Sequence, residues 1–287
     1  MGPRKKGGEV AQDYERRLAR VVDHIHDNPA GDLSLDRLAE VAALSRFHFH
    51  RVYAAMAGET VAMTVRRMRL HRAAVALIQG DAPLREVARS VGYPNVSSFT
   101  RAFSESYATS PLAFRRRGEL RPMTLTLPQK GKLMYPVILR TDPARRLVAL
   151  PHSGPYILIN RAFEKLGATV GPRGLFPQMG HMVGVYYDSP GDTPPEALRG
   201  HAGFECRPDT PIDPPLVEVL LPAGRHAVLT YKGPYAGLSA AYEQLFGLWL
   251  PQSGEEAADS PVFEVYLNTP MDTAPEDLLT EICLPLR

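Results

Sequence analysis

Cysteine and long apolar runs are both scarce in this chain of 287 residues. Its two cysteines, Cys206 and Cys283, are too few for a disulfide framework, and neither has the neighbouring ligands that a zinc site needs. No apolar run approaches the roughly 18 residues of a membrane span, and no apolar stretch follows the basic N-terminus as in a secretory signal. We therefore expect a cytoplasmic protein without a metal, a cofactor or a membrane contact.

An excess of charge of either sign is also lacking overall, but the charges are unevenly distributed. The first 120 residues carry 19 Lys and Arg against 13 Asp and Glu, a net charge of +6, whereas the remainder carries 14 against 18, a net charge of −4. A basic half suits a polyanionic partner such as DNA, although a net charge of +6 is also compatible with an ordinary solvated surface. Charge therefore supports nucleic-acid binding without deciding it.

Two regions of different texture follow one another along the chain. Residues 13–117 have apolar side chains at three- and four-residue spacing, with Gly, Pro and Asn at turn positions, which predicts about seven helices. Seven short β-rich runs and two helical stretches fill 135–287, and the stretch before them has no sustained period. We predict a flexible tail at 1–12, an all-α domain at 13–118, a linker at 119–134 and an α+β domain with an antiparallel sheet at 135–287.

The helical region contains a repeat with an offset of 49 to 50 residues. LDRLAEVAALSRFHFHRVYAAMAG, from Leu35, aligns with LREVARSVGYPNVSSFTRAFSESYA, from Leu84. Each copy predicts a helix, a turn and a second helix, with Ser45 or Asn95 as the N-cap of the second. A helix of about 20 residues over 60–79 joins the copies and spans roughly 30 Å, close to one turn of DNA. The pattern predicts a tandem helix-turn-helix unit that reaches two adjacent major grooves.

The tandem unit resembles the AraC-type DNA-binding domain through RFHFHRVYAAMAGET, RMRLHRAAVAL, GYPNVSSFTRAFSESYATSP and SPLAFRRR. The resemblance implies a transcription regulator that binds double-stranded DNA, with RNA polymerase as an expected partner. Arg51 and Arg101 hold equivalent positions of the two copies, and internal carboxylates are their alternative partners. The side chains expected to face the DNA lie on the two second helices: Arg46, Phe47, His50, Arg51, Asn95, Val96, Ser97, Ser98 and Arg101.

The second region also repeats, with an offset of about 80 residues. VALPHSGPYILINRAFEKLG, from Val148, matches AVLTYKGPYAGLSAAYEQLFG, from Ala227. VYYDSPGDTPPEAL, from Val185, matches VYLNTPMDTAPEDL, from Val265. Two related units predict a pseudo-twofold structure, in which a ligand groove commonly lies where equivalent strands meet.

This region resembles the GyrI-like (SbmC-like) ligand-binding domain, a duplicated βαββ module, most clearly in YKGPY, LWLPQSG, FEVYLN and TEICLPL. The resemblance implies a cleft between the repeats that binds a lipophilic, often cationic small molecule above a buried carboxylate. By the same resemblance, Glu281 holds the place of the family's acidic residue.

Strand alternation in FEVYLN predicts two faces. Phe263 and Val265 are expected against a helix, and Glu264 and Tyr266 on the other face. Glu281 and Tyr186, the repeat equivalent of Tyr266, are expected to share the Glu264 face, where a carboxylate beneath aromatic rings suits a cation. Solvent exposure of the glutamates and core packing of Trp249 are the alternatives. The predicted effector-binding residues are Glu281, Tyr266, Glu264, Trp249 and Tyr186.

Together the two resemblances predict a ligand-responsive transcription regulator without enzymatic activity. Hydrolysis of electrophilic small molecules by Glu281 with Tyr266 or Tyr235 is an alternative. Antagonism of a macromolecular partner by the second domain is another. Titration with lipophilic cations separates the three, because a regulator binds without turnover, an enzyme converts its ligand and an antagonist ignores it.

Overall fold

The N-terminal region of the computed structural model is helical. The structure describes residues 7–118, 135–190 and 192–287, with side chains from residue 13 onward. Within 7–118 it contains seven helices, as the spacing predicts: α1 (Gly7–Asp27), α2 (Leu35–Ala42), α3 (Arg46–Ala57), α4 (Val61–Gln79), α5 (Leu84–Ser90), α6 (Val96–Tyr107) and α7 (Pro111–Arg117). Helix α1 begins at Gly7, within the stretch that the sequence analysis assigned to a flexible tail at 1–12. Residues 1–6 and the predicted linker at 119–134 lie outside the described residues.

Two helix-turn-helix units follow one another, α2 with α3 and α5 with α6, and α4 joins them. The Ser45 hydroxyl caps α3 by accepting a hydrogen bond from the Phe47 amide (3.2 Å). The Asn95 side chain caps α6 by accepting one from the Ser98 amide (2.8 Å). Each unit has its own hydrophobic cluster. The aromatic side chains that recur in the repeat are buried in these clusters: Phe49, Tyr53, Phe99 and Phe103.

The C-terminal region is built on one eight-stranded antiparallel sheet, counted over its described residues. Its strands are β1 (Val137–Asp142), β2 (Arg145–Ser153), β3 (Met179–Tyr186), β4 (Arg199–Cys206), β5 (Val217–Leu221), β6 (Gly224–Lys232), β7 (Val262–Tyr266) and β8 (Leu279–Pro285), in the order β1-β6-β8-β7-β3-β4-β2-β5. Helix α8 (Asn160–Val170) follows β2. Helix α9 (Leu238–Glu243) follows β6 and continues through a π-helical stretch, the π-segment (Gln244–Trp249), into α10 (Leu250–Ser253). The βαββ duplication is confirmed, and β4 is a strand that the sequence analysis missed.

The sheet curls strongly, as its connectivity requires. β1 and β2 stand first and seventh in the strand order, yet only Pro143 and Ala144 separate them. Three Cα–Cα steps span at most about 11 Å, whereas six strand spacings in a flat sheet would span roughly 29 Å. Two residues likewise join β5 to β6. The edges of the sheet must therefore approach each other, which gives the sheet an inner face and an outer face.

The inner face carries an apolar cluster, and the helices cover the outer face. Phe263 and Val265 of β7 meet Val228 of β6 and Leu221 of β5 on the inner face, although β5 and β6 are far apart in the strand order. Helix α8 packs on β2 and β4, and α9 with the π-segment packs over β6 and β8. The expectation that Phe263 faces a helix is therefore wrong, because the helices pack on the Glu264 side of β7.

The two regions share a continuous interface. Helix α1 packs against α10, and α3 packs against the π-segment. One hydrophobic cluster contains Tyr14 of α1 and Val52 of α3 together with Phe246 of the π-segment. The Ser45 hydroxyl donates a hydrogen bond to Asp259 (2.8 Å) across this interface. None of the described helices is long and apolar enough to cross a membrane.

Candidate effector pocket and DNA-binding surface

Three pairs of repeat-equivalent aromatic side chains surround one carboxylate on the outer face of β3 and β7. The Gly-Pro-Tyr tyrosines pack on the strand tyrosines, with ring centroids 4.8 Å apart for Tyr156 and Tyr186 and 5.3 Å apart for Tyr235 and Tyr266. The helices supply the third pair, Phe163 of α8 and Tyr242 of α9. These six rings around Glu264 are called the aromatic cage: Tyr156, Phe163, Tyr186, Tyr235, Tyr242 and Tyr266.

Glu264 is 4% exposed and accepts hydrogen bonds from three phenol hydroxyls. Tyr242 donates to Oε1 (2.9 Å), and Tyr266 donates to Oε2 (2.8 Å). Tyr186 donates to Oε2 (3.3 Å) and its hydroxyl lies 2.7 Å from that of Tyr266. Burial raises the pKa of Glu264, although the three hydroxyls and the Arg51 charge oppose the rise. The surroundings of Glu264 therefore stabilise its charged form less than water does. A cation next to the carboxylate would stabilise that form.

The cage is symmetric in its rings but not in its charge. Gly184 of the first repeat pairs directly with Glu264 of the second in the β3–β7 ladder. A Cβ at Gly184 would lie 2.7 Å from the Tyr186 hydroxyl, so the missing side chain makes room for that phenol beside Glu264. The pseudo-twofold axis thus passes between a glycine and a carboxylate, and one acidic group serves both sets of rings.

Glu281 lies outside the cage, so its placement on the Glu264 face is wrong. The β7–β8 register pairs Glu281 with Val265, which puts its side chain on the inner face. There it binds Arg140 through both carboxylate oxygens (3.0 and 2.8 Å). Trp249 ends the π-segment and packs with the interdomain cluster, and the ring contacts of the cage described above do not include it. Tyr186, Tyr266 and Glu264 are the predicted effector residues that the structure brings together.

Helix α6 presents its predicted DNA-binding residues to solvent. The Arg101 side chain is 84% exposed, with one distant carboxylate, Glu105, at 3.8 Å. Asn95 and Ser97 are exposed at the start of the helix, where Val96 and Ser98 are half-buried. Helix α6 is therefore the more exposed of the two recognition helices, and its base or phosphate contacts remain a prediction.

Helix α3 is covered by the second domain instead. His50 is 1% exposed, and burial with the adjacent Arg51 charge holds its pKa well below the ordinary value. The neighbouring His48 stacks on Phe246 of the π-segment, with centroids 5.8 Å apart, and burial lowers its pKa to about 3. Arg46 and Phe47 line a groove of about 460 Å³ between the domains. The second domain thus covers His50 and part of Arg51 in the reading face predicted for α3, while Arg46 stays exposed.

Arg51 shows the contrast most directly, because Arg101 is its equivalent in the second unit. Its guanidinium carbon lies 5.3 Å from the ring centroid of Tyr242 and 5.6 Å from that of Phe246. Nη2 reaches the Asp188 carbonyl oxygen at 3.5 Å, the outer limit of a hydrogen bond. Its described contacts are two aromatic faces and a carbonyl oxygen of the second domain, rather than a carboxylate.

Sequence reasoning missed Tyr242 and Phe163 as site residues, although a signal was present. They occupy equivalent positions of the two matching segments, RAFEKLG and AAYEQLFG. Each lies seven residues after the tyrosine of Gly-Pro-Tyr. An aromatic residue at equivalent positions of both repeats predicts a place on the internal axis. Among the residues that the structure describes, no three His, Cys, Asp or Glu side chains cluster as metal ligands would.

The sequence comparisons assign both regions to families. Residues 135–287 match the GyrI-like small molecule binding domain. The chain belongs to this family. Residues 38–117 match a helix-turn-helix domain, and the related proteins are AraC-family regulators. The chain thus joins an N-terminal helix-turn-helix domain to a C-terminal GyrI-like small molecule binding domain.

The similar proteins share only part of the chain. The uncharacterized HTH-type transcriptional regulator YbfP of Bacillus subtilis (strain 168) is 30% identical over 102 residues, 36% of this chain and 35% of its own length. The right origin-binding protein of Escherichia coli (strain K12) is 33% identical over 87 residues, 30% of either protein. The chain thus spans about a third of the length of these relatives. The solved C-terminal domain of EcmrR is 17% identical with a TM-score of 0.45, and the match covers 54% of this chain and 98% of that one.

Proposed function

We propose that the GyrI-like domain binds a lipophilic organic cation at the aromatic cage, and that this binding regulates transcription through the helix-turn-helix units. One observation carries the proposal: the Glu264 carboxyl is buried, and each hydrogen bond described for it comes from a phenol. A buried carboxylate without an ion pair is costly, and a cation that brings its own positive charge removes much of that cost. Aromatic walls add cation–π attraction and accept apolar substituents.

The cage also indicates how a ligand would enter. The Tyr186 and Tyr266 hydroxyls touch each other and Glu264, so they occupy the space next to the carboxylate. A cation that reaches Glu264 must therefore displace at least one phenol. Its aromatic or alkyl groups would then replace the apolar contacts of that ring, and its charge would replace the hydroxyl hydrogen bond. A lipophilic cation meets both needs, whereas a hydrated inorganic ion meets neither.

The output of the regulator follows from the exposed and covered helices. We propose that α6 contacts DNA through Ser97 and Arg101, and that α3 does so when its predicted reading face is free. Arg51 and Arg101 are then the equivalent contacts of two adjacent major grooves. RNA polymerase is the further partner that we propose for the DNA-bound protein, in the cytoplasm where its target genes are transcribed.

Titration of the full chain with tetraphenylphosphonium tests the effector site. We expect the wild type to bind it, Glu264→Gln to bind at least tenfold more weakly, and Glu281→Gln to bind as the wild type does. Glu281→Gln is the matched control, because it removes the same charge from the adjacent strand on the other face of the sheet. Equal affinities for wild type and Glu264→Gln would refute the site.

Two further readouts separate the alternative functions. Mass spectrometry of the recovered ligand shows whether it has been converted, which a hydrolase would do and a regulator would not. Genome-wide mapping of bound fragments, with and without the cation, measures whether the ligand changes DNA occupancy. A protein that binds no cation and no genomic fragment would not be the regulator that we propose.

A further inference from the structure

Arg51 lies at the rim of the aromatic cage, although it belongs to a recognition helix of the other domain. Its guanidinium packs over Tyr242 and Phe246 and reaches the Asp188 carbonyl oxygen. Asp188 accepts a second hydrogen bond at the same oxygen from the cage residue Tyr156 (3.1 Å). A cation of the DNA-binding domain thus rests on the ligand-binding domain at the place where an effector cation would meet its rings.

One side chain connects this cation to the buried acid. Tyr242 donates its hydroxyl hydrogen to Glu264 and offers its ring face to Arg51. A ligand that displaces the Tyr242 hydroxyl from Glu264, or that takes the ring face occupied by Arg51, would disturb both contacts. Arg51 and an external cation therefore cannot both occupy the Tyr242 ring face beside Glu264.

We infer that Arg51 is an internal competitor of the effector, so that a cation bound in the cage displaces Arg51 and frees the reading face of α3 for DNA. This inference rests on the proposed effector site. In the closed protein, with α3 covered, Arg51 then packs on aromatic rings. In the open protein, with α3 released, it contacts a DNA base or phosphate.

The closed interface leaves one donor of Arg51 unsatisfied. Arg51 Nη1 is buried and has no hydrogen-bond partner among the described residues. Buried donors without partners are costly, and a duplex offers acceptors for them. Arg51, one of the side chains that α3 would use on DNA, thus keeps an unsatisfied donor against the second domain.

The contact is also local to one helix-turn-helix unit. Helix α3 packs on the π-segment, where a Cβ on Gly247 would lie 2.7 Å from the Ala55 Cβ, while Arg101 of α6 stays exposed. A protein in the closed state can therefore use α6 alone, and release of α3 adds a second major groove. We expect effector binding to lengthen the protected DNA by about one helical turn, roughly 10 base pairs.

The first test compares cation affinity when the internal competitor is removed. Tetraphenylphosphonium should bind Arg51→Gln about 2- to 30-fold more tightly than the wild type, the range that loss of an ordinary cation–π contact would give. Arg89→Gln, which removes an exposed charge from α5, is the matched control and should bind as the wild type does. Unchanged or weaker binding by Arg51→Gln, with binding by the wild type intact, overturns the inference and leaves the effector site standing.

The second test perturbs the interface without replacing Arg51 or a residue of the cage. Gly247→Ala places a methyl group against the Ala55 backbone and should separate α3 from the π-segment. On a fragment recovered by genomic mapping, we expect its footprint without ligand to match that of the wild type with tetraphenylphosphonium. Emission of the single tryptophan, Trp249, which lies in the interdomain cluster, reports whether the interface has opened.

The outcomes of this second test are decisive in each direction. A shifted emission with an unchanged short footprint would show that covering α3 does not restrict DNA binding, and the inference would fail. An unshifted emission would show that the contact does not define a separate closed state, with the same consequence. If the wild type binds no cation but Gly247→Ala lengthens the footprint, the proposed effector site is refuted. The claim that the second domain restricts DNA binding by α3 is then supported.

Discussion

Replacement of Glu264 by Gln should stabilise the protein at pH 8 when no effector is present. Burial raises the pKa of Glu264, so the folded protein holds this proton more tightly than the unfolded chain does. Its favourable contribution is complete below the ordinary value of 4.5 and is lost as pH rises through the folded pKa. Gln keeps the shape of the neutral acid and has no charge to desolvate, so it avoids this loss at high pH.

The direction of this change follows from two opposing effects in the cage. Hydrogen bonds to a charged group contribute about 1.5 to 3 kcal/mol each, and three phenols supply them. An ionised group taken out of water costs several kcal/mol, and the upward direction of the pKa shows that this cost is larger here. We therefore expect Glu264→Gln to have a higher Tm than the wild type at pH 8.

Differential scanning calorimetry between pH 4 and pH 8 measures this gain. The difference between Glu264→Gln and the wild type should vanish near pH 4, where the wild-type acid is protonated too. Glu281→Gln is the control and should lose about 1 kcal/mol at pH 8, since it breaks a partly buried ion pair with Arg140. A Glu264→Gln protein less stable than the wild type at pH 8 would refute the reasoning, because the phenol hydrogen bonds would then outweigh burial.

Three further substitutions test the cage, a helix cap and the open helix. Gly184→Ala should cost about 1 to 3 kcal/mol in calorimetry, because its methyl group would meet the Tyr186 hydroxyl; a cost near zero would contradict the close approach. Asn95→Ala should cost about 1 kcal/mol by removing the cap on the Ser98 amide, and Asn95→Gly should cost less. Arg101→Ala should weaken duplex binding by about 1 to 3 kcal/mol if it reads a base; equal affinity in gel shifts at several salt concentrations would exclude a contact.

Local chemistry made most of the fold predictable. Helical spacing and turn residues located the seven helices, and the caps at Ser45 and Asn95 follow directly from side-chain oxygens that can reach a free amide. Strand β4 was not predicted because RGHAGFEC has glycines at two positions and no alternation of apolar and polar residues. It is a strand because β2 and β3 pair with it from both sides. Pairing between distant segments decided what local propensity left open.

The site was predictable only to the level of its residue types. A glutamate among aromatic rings was expected, but Glu281 and Glu264 differ by strand register, and pairing of Glu281 with Val265 turns it to the opposite face. The sequence also gives Arg51 and Arg101 the same surroundings within their repeats. They diverge because only the first unit packs on the π-segment, and contact between domains leaves no periodic signal in either helix.

The duplication explains why this cage can sense charge. A symmetric pair of repeats alone would bring two identical residues to the axis, and two glutamates facing each other across β3 and β7 would repel and share a proton. Gly184 removes one of them and gives its space to Tyr186, so a single carboxyl faces rings from both repeats. Among the described residues of the ligand-binding domain no cation pairs with that carboxyl, and one ring face of Tyr242 is occupied by Arg51 from outside the domain. Under the proposed function, the single acid gains a cation either from the recognition helix, through Arg51, or from an effector.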